Sequence, residues 1–249
     1  ALDQMGLVLC TRDRPRLLES ALAAIALVVP TDVERIVVDS GSRTDEAARI
    51  ADAAGARYIR SDIPGLSIAR NAGLAATTRE FVIFTDDDCE VQPCCAERLL
   101  AAFTSPRVAA ATGTLRDIAD MSSIPSDEPP RTLTSTLQGL DAGHGALMAF
   151  RVQPLRELGG FDPMLGAGRL FGGAEDLDAF CRVLHAGYEI VHVTSAVVCH
   201  VVTRTDHDFA MLNQAYGRGL GAMSCKWVRQ AGGTGLGLAA KSLRRATLR

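Results

Sequence analysis

The sequence is short of almost everything that would announce a membrane or a secreted scaffold. Aromatic residues make up 5% of it, with a single Trp. Its longest apolar run, "ALAAIALVVP" at 21–30, is roughly half of the about 20 residues that a bilayer-spanning helix needs. The first residues carry no basic start, apolar stretch and small-residue cleavage site of a secretory signal. The seven cysteines are odd in number and contain no C-x-x-C pair, so a disulfide framework is not expected and free thiols in a reducing cytosol are. Cys94 and Cys95 are read as packing residues. No internal repeat is visible, and nucleic acid is not an expected partner. Acids are absent after Asp208, where Arg218, Lys226, Arg229, Lys241, Arg244, Arg245 and Arg249 follow. The remaining 19 basic residues stand against 29 acidic ones. An acidic body therefore carries a basic tail, which suits either an anionic membrane surface at the inner face of the cell membrane or a solvated helix end.

What is present is alternation. "GLVLC" (6–10), "RIVVD" (35–39), "ARYIR" (56–60), "FVIFT" (81–85) and "RVAAATG" (107–113) are short apolar runs separated by helical patterns such as Leu17, Leu18, Ala21, Leu22 and Ile25. This predicts an α/β fold with a mostly parallel sheet and helices on both faces. Ligands in such sheets bind beyond the carboxyl ends of the strands. Those ends carry Thr11-Arg12-Asp13, Asp39-Ser40-Gly41-Ser42 and Asp86-Asp87-Asp88.

Residues 117–138 are rich in Ser, Thr, Pro and acids and read as a loop. A strand at 144–150, a short helix at 152–160, a glycine-rich loop, a helix from about Ala174 to His185, and strands near 188–193 and 196–199 follow. In the helix, Leu177, Phe180, Cys181 and Leu184 form an apolar stripe flanked by Asp176, with Glu175, Asp178 and Arg182 farther round. A last helix is expected over 206–230, carrying Phe209, Leu212, Tyr216, Leu220, Met223 and Trp227, with "AGGTGLG" fraying after it. The expected organisation is a first half over 1–115, a second half of the same domain over 116–205, and a C-terminal helix and tail over 206–249.

Three consecutive carboxylates at a strand end repel one another and raise their own pKa values. A divalent cation reverses that cost, and Mn²⁺ or Mg²⁺ takes carboxylate and phosphate oxygens. If the segment stays extended, Asp86 and Asp88 face one site and Asp87 points elsewhere. A D-x-D phosphohydrolase is one alternative, although its acidic strand would normally open the chain. A nucleotidyltransferase is another, but the turn after the first strand lacks the glycine-rich loop such enzymes use. A catalytically inactive scaffold is a third. "GRGLGAM" at 217–223 is a dinucleotide-binding decoy, since it lies in a helical pattern and follows no strand.

"VLCTRDRP", "IVVDSGSRTD", "PGLSIARNAGL", "FTDDDCEV", "LRELGGFDP", "GGAEDLDAFCRVLHAGYEI" and "VCHVVTR" occur in an order that resembles the family 2 glycosyltransferases with the GT-A fold, over residues 6 to about 220. The resemblance implies an inverting, metal-dependent transfer from a nucleoside diphosphate sugar to a hydroxyl of a saccharide or glycolipid. A UDP- or dTDP-sugar is favoured and a GDP-sugar is compatible. It places Thr11, Arg12, Asp39, Arg70, Asp86 and Asp87 at the donor. Asp39 would accept from a base N–H, Arg70 would reach the diphosphate and ribose, and Asp86 would lie on the ribose side. It implies Asp88, His200 and Asp86 at the metal, which is Mn²⁺ or Mg²⁺. Asp176 is the implied base and Glu175 its acceptor-side neighbour. Close relatives usually show Gly-Ala-Asn-Met before the "AF" strand, whereas Leu147 stands here in place of Asn.

Overall fold

The computed structural model describes residues 2–117, 128–201 and 206–247, without the side chains of 206–210 and 246–247. The first strand, β1 (Met5–Thr11), is buried along its whole length. Its side chains alternate between two cores, with Leu7 and Leu9 on one face and Val8 and Cys10 on the other. Burial on both faces is why the run reads as continuously apolar. Helix α1 (Pro15–Val28) starts on a proline, a residue suited to the first turn because no N–H is needed there. It buries Leu18, Ala21, Leu22 and Ile25.

Strand β2 (Glu34–Asp39), helix α2 (Glu46–Ala53), strand β3 (Arg57–Arg60), helix α3 (Leu66–Ala76) and strand β4 (Phe81–Asp86) complete the first half. Strand β5 (Cys89–Val91), helix α4 (Cys95–Ala101) and strand β6 (Val108–Asp117) follow. Then come β7 (Arg131–Leu133), a 3-10 helix (Thr136–Asp141), β8 (Leu147–Arg151), α5 (Val152–Glu157), α6 (Glu175–His185), β9 (Glu189–His200) and α7 (Asp206–Thr247).

One sheet holds all nine described strands in the order β3-β2-β1-β4-β8-β6-β9-β5, with β7 also against β9. Its first half, β3-β2-β1-β4, is parallel. Strand β8 is antiparallel to both β4 and β6, while β6 and β9 are parallel. The parallel half brings the carboxyl ends of β1, β2 and β4 to one edge, where Thr11 pairs in register with Asp39 and Cys10 with Asp86.

Four expectations change. The two strands expected at 188–199 are one strand, β9. The polar Thr194-Ser195 pair lies where pairing with β6 jumps from Thr112–His192 to Thr114–Val197, a bulge that interrupts the apolar pattern without ending the strand. Within the loop expected at 117–138, residues 118–127 lie outside the described residues, and its end forms β7 and the start of the 3-10 helix. Cys95 packs in the core as expected, but Cys94 is exposed. The glycine-rich stretch after residue 230 does not fray: α7 kinks at Gly232, φ 50°, and its second leg returns along the first. Gly235 permits this by lying directly on the Trp227 backbone, where any Cβ would collide. Leu238 of the returning leg joins Trp227, Met223, Leu140, Leu165 and Cys181 in a third core.

Cations of the tail are engaged inside the protein. Lys226 pairs with Asp162 and Asp178, and Lys241 and Arg245 both pair with Asp141. "GRGLGAM" lies within α7, and Gly219 is there because the helix touches the Gly173 backbone.

Leu147 is buried against Gly113 and pairs in register with Thr85, whose buried hydroxyl has no hydrogen-bond partner among the described residues. A buried unpaired hydroxyl costs about 1–3 kcal/mol. Thr85→Val is therefore expected to raise unfolding free energy by about 1–2 kcal/mol in urea titration. A lower value would mean that the hydroxyl has a partner.

Candidate active site

After β4 the chain turns at Asp87 and Asp88 and re-enters the sheet as β5. The turn, rather than strand alternation, separates the acids. Asp87 points back at β1, accepting from Thr11 Oγ1 at 2.7 Å and from Arg14 Nη1 at 3.1 Å. Burial pushes its carboxyl up to about 6, against the pull of the Thr11 hydroxyl and the Arg14 charge. Asp88 Oδ2 accepts from the same Arg14 nitrogen at 3.2 Å and lies 3.5 Å from His200 Nε2. The paired ends of β5 and β9 bring His200 there, with Cys89 and His200 opposite each other in register.

Asp86, Asp88 and Cys89 offer ligand atoms within 4.8 Å of one another. Burial drives the Cys89 thiol far above its ordinary range, with the neighbouring aspartates adding to the effect. Two carboxylates are left as the ready donors, a hard-oxygen set that fits Mn²⁺ or Mg²⁺. His200 adjoins Asp88 but stands outside that cluster of ligand atoms. Arg14 shares the same Asp88 oxygen.

Across the cleft, α6 begins at Glu175 after Ala174, which adopts a left-handed conformation with φ 68°. Asp176 is half-buried and uses Oδ2 to accept from Gly145 N–H at 2.8 Å and Oδ1 to accept from Leu177 N–H at 2.8 Å. Glu175 is buried, and burial together with the Asp176 charge raises its pKa against the opposing Arg70.

Arg70 joins the two sides. It is 1% exposed, donating from Nη1 to Glu175 Oε1 at 2.8 Å and from Nη2 to Asp86 Oδ1 and Gly145 O, both at 3.1 Å. Burial opposes its charge, yet Asp86 and Glu175 hold its pKa above the ordinary value. Enclosure raises Asp86 in turn, with Arg70 opposing.

At the end of β2, Asp39 is buried with Oδ1 accepting from Ser42 N–H at 2.8 Å. Its Oδ2 accepts from the Tyr58 hydroxyl at 2.8 Å and from Arg60 Nη1 at 3.4 Å. A carboxylate offers about four acceptor sites, and three donors already engage this one.

The family model described as "Glycosyl transferase family 2" matches residues 7–158. The chain belongs to glycosyl transferase family 2. A pre-mycofactocin glycosyltransferase of Mycobacterium tuberculosis is 26% identical over 205 residues, which cover 70% of this chain and 41% of that relative. The chain thus spans about two fifths of the length of the curated relative. Among solved structures, a mannosyltransferase from Pyrobaculum calidifontis in complex with GDP-Man and Mn²⁺ matches with a TM-score of 0.69 and 20% identity, covering 98% of this chain and 75% of the other. Glucosyl-3-phosphoglycerate synthase from Mycobacterium tuberculosis, in complex with Mn²⁺, UDP and glucosyl-3-phosphoglycerate, matches with a TM-score of 0.59 and 23% identity, covering 87% and 78%. The fold shared with these structures is GT-A.

Of the residues singled out from this family 2 sequence, Asp86, Asp87, Asp88, Thr11 and His200 converge at one end of the cleft, and Glu175 and Asp176 meet them through Arg70 and Gly145. Arg12 is exposed on the loop beyond β1. The Arg70 guanidinium, expected to reach the diphosphate and ribose, is enclosed by protein carboxylates and a carbonyl. Leu147 turns into the core and leaves the cleft to its neighbours. Glu175 and Asp178, expected away from the apolar stripe, are buried.

Several residues of the family 2 site escaped the sequence reading. Arg14 was signalled only by its place three residues beyond β1. Tyr58 and Arg60 stand two residues apart on β3 and so share one face of the strand, and both close on Asp39. Gly145 carries no side-chain chemistry to notice. Asp178 accepts from Arg182 Nε at 2.8 Å, Lys226 Nζ at 2.9 Å and Trp227 Nε1 at 3.0 Å, contacts that sequence spacing does not reveal apart from the Arg182 pair.

Proposed function

We propose that this family 2 domain moves a sugar from a nucleoside diphosphate sugar to a hydroxyl acceptor in a single inverting displacement. The observation that carries the reading is that Arg70 and Gly145 join Asp86, beside Asp88, to Glu175 and the half-buried Asp176 at the start of α6. Residues 1–115 supply the donor side and residues 116–205 the acceptor side.

Asp39 accepts from an N–H of the base, which N3–H of uracil or thymine, or N1–H of guanine, can provide. UDP- or dTDP-sugars remain the favoured class, and Thr11 lines the same strand edge. Asp86 and Asp88 would hold Mn²⁺ or Mg²⁺, with His200 completing the set; the ion supplies charge compensation for the departing diphosphate. Arg12, exposed beyond β1, faces the donor side. The acceptor oxygen attacks the anomeric carbon as the bond from that carbon to the diphosphate oxygen breaks, and the acceptor proton passes to an Asp176 oxygen. Glu175, fixed by Arg70, closes the pocket behind that base. A saccharide or glycolipid acceptor fits this chemistry. The described residues form no helix long and apolar enough to cross a membrane; contact with an anionic surface would fall to the basic residues of the tail.

The test is turnover of a panel of UDP-, dTDP- and GDP-sugars with Mn²⁺ and simple glycoside acceptors. Release of one nucleoside diphosphate per sugar transferred, with inverted product configuration, is expected. Hydrolysis of aryl phosphate without nucleotide-sugar turnover would reject the reading.

A further inference from the structure

Gly145 lies between the acids that the proposed reaction sets apart. Its N–H donates to Asp176 Oδ2, and its carbonyl accepts from Arg70 Nη2. The same Arg70 nitrogen donates to Asp86, and Nη1 donates to Glu175. A single buried guanidinium therefore fixes one donor-side carboxylate, one acceptor-side carboxylate and the carbonyl of Gly145, the residue whose N–H holds Asp176. The Phe161 ring lies 5.6 Å from the guanidinium carbon and covers one face of it.

We propose that Arg70 and the Gly145 peptide form a positioning strut that sets Asp176 relative to Asp86. On this reading neither group touches the donor, and the strut serves turnover rather than donor affinity. The inference rests on Asp176 being the base. Only a forked, planar donor spans three acceptors in this way; lysine keeps the charge but offers one nitrogen. Glycine is equally specific at 145. A Cβ there would lie 2.9 Å from Arg70 Nη2 and 3.3 Å from Asp176 Oδ2, so an added methyl presses on both ends of the strut. Gly145 is also partly exposed, which leaves the fold room to accept the change.

The experiment compares Arg70→Lys and Gly145→Ala with Gly217→Ala, a helical control whose Cβ would meet nothing within 4 Å. It measures kcat, donor KM, melting temperature, and calorimetric binding of UDP and of GDP with Mn²⁺. Displacing a catalytic group by about 1 Å costs on the order of 100-fold in rate. Both strut variants are expected to lose about that much in kcat, with diphosphate affinity changed less than about threefold. Gly217→Ala should match wild type.

A loss of diphosphate affinity equal to the loss of kcat would overturn the proposal and place Arg70 in donor binding. Full kcat in Gly145→Ala would also overturn it. Should Arg70→Lys melt early, Gly145→Ala decides. If Asp176→Asn turns over normally, the base assignment has failed and the strut with it. If Asp176→Asn is inactive while both strut variants keep full kcat, the strut alone is rejected.

Discussion

Asp176→Asn is expected to lower transfer by about 10²- to 10⁴-fold, the range for loss of a general base. The substitution is nearly isosteric. An amide oxygen can still accept from Gly145 N–H, now at 2.8 Å, at the cost of the bond that Leu177 N–H makes to the other carboxylate oxygen. What disappears is the ability to take a proton from the acceptor hydroxyl. The donor wall at Asp86 and Asp88 belongs to a different part of the sheet and should keep its nucleotide affinity. Steady-state turnover together with calorimetry of the nucleoside diphosphate checks both halves of this expectation. Normal turnover would remove Asp176 from the reaction.

Asp178→Ala is expected to cost about 3–5 kcal/mol of folding free energy, the usual penalty for removing one partner of a buried ion pair. Asp178 is fully buried and holds Arg182, Lys226 and Trp227. Without it, the indole N–H loses its acceptor, Lys226 is left with Asp162, and Arg182 is left with backbone carbonyls alone. The consequence reaches the site because the same contacts seat α7 on the loop before Asp176. A Cβ on Gly172 would lie 2.8 Å from Ala215 Cβ, and one on Gly173 2.7 Å from Tyr216 Cδ1, so loop and helix are already in close contact. Arg182 also binds the carbonyls of Leu158 and Gly160 at the start of that loop. Urea unfolding of the variant measures the cost. A loss below about 1 kcal/mol would show that the network stands without its central acid.

The first half of the fold was legible because β1, β2 and β4 are buried on both faces and read as unbroken apolar runs. Strands β5 and β7 span three residues each and have no period to detect. The returning leg of α7 was hidden by its glycines, which lower helix propensity but are what permit Gly235 to lie on the Trp227 backbone. In the site, Asp86 and Asp88 were legible from their place at a strand end. Asp87 was not, because its role depends on a turn that sends it to Thr11 and Arg14. Arg70 was legible as a site residue but its surroundings were not: the sequence pattern does not show that two carboxylates and a carbonyl enclose its guanidinium.

The most direct test of the divided site is calorimetric titration of UDP and GDP into wild type and Asp88→Ala, each with and without Mn²⁺. Wild type is expected to bind its nucleotide more tightly with Mn²⁺ by about tenfold or more, and Asp88→Ala to lose that metal-dependent gain while staying folded. Equal binding with and without Mn²⁺ in both proteins, for both nucleotides, would contradict the assignment of Asp88 to a metal that holds the donor.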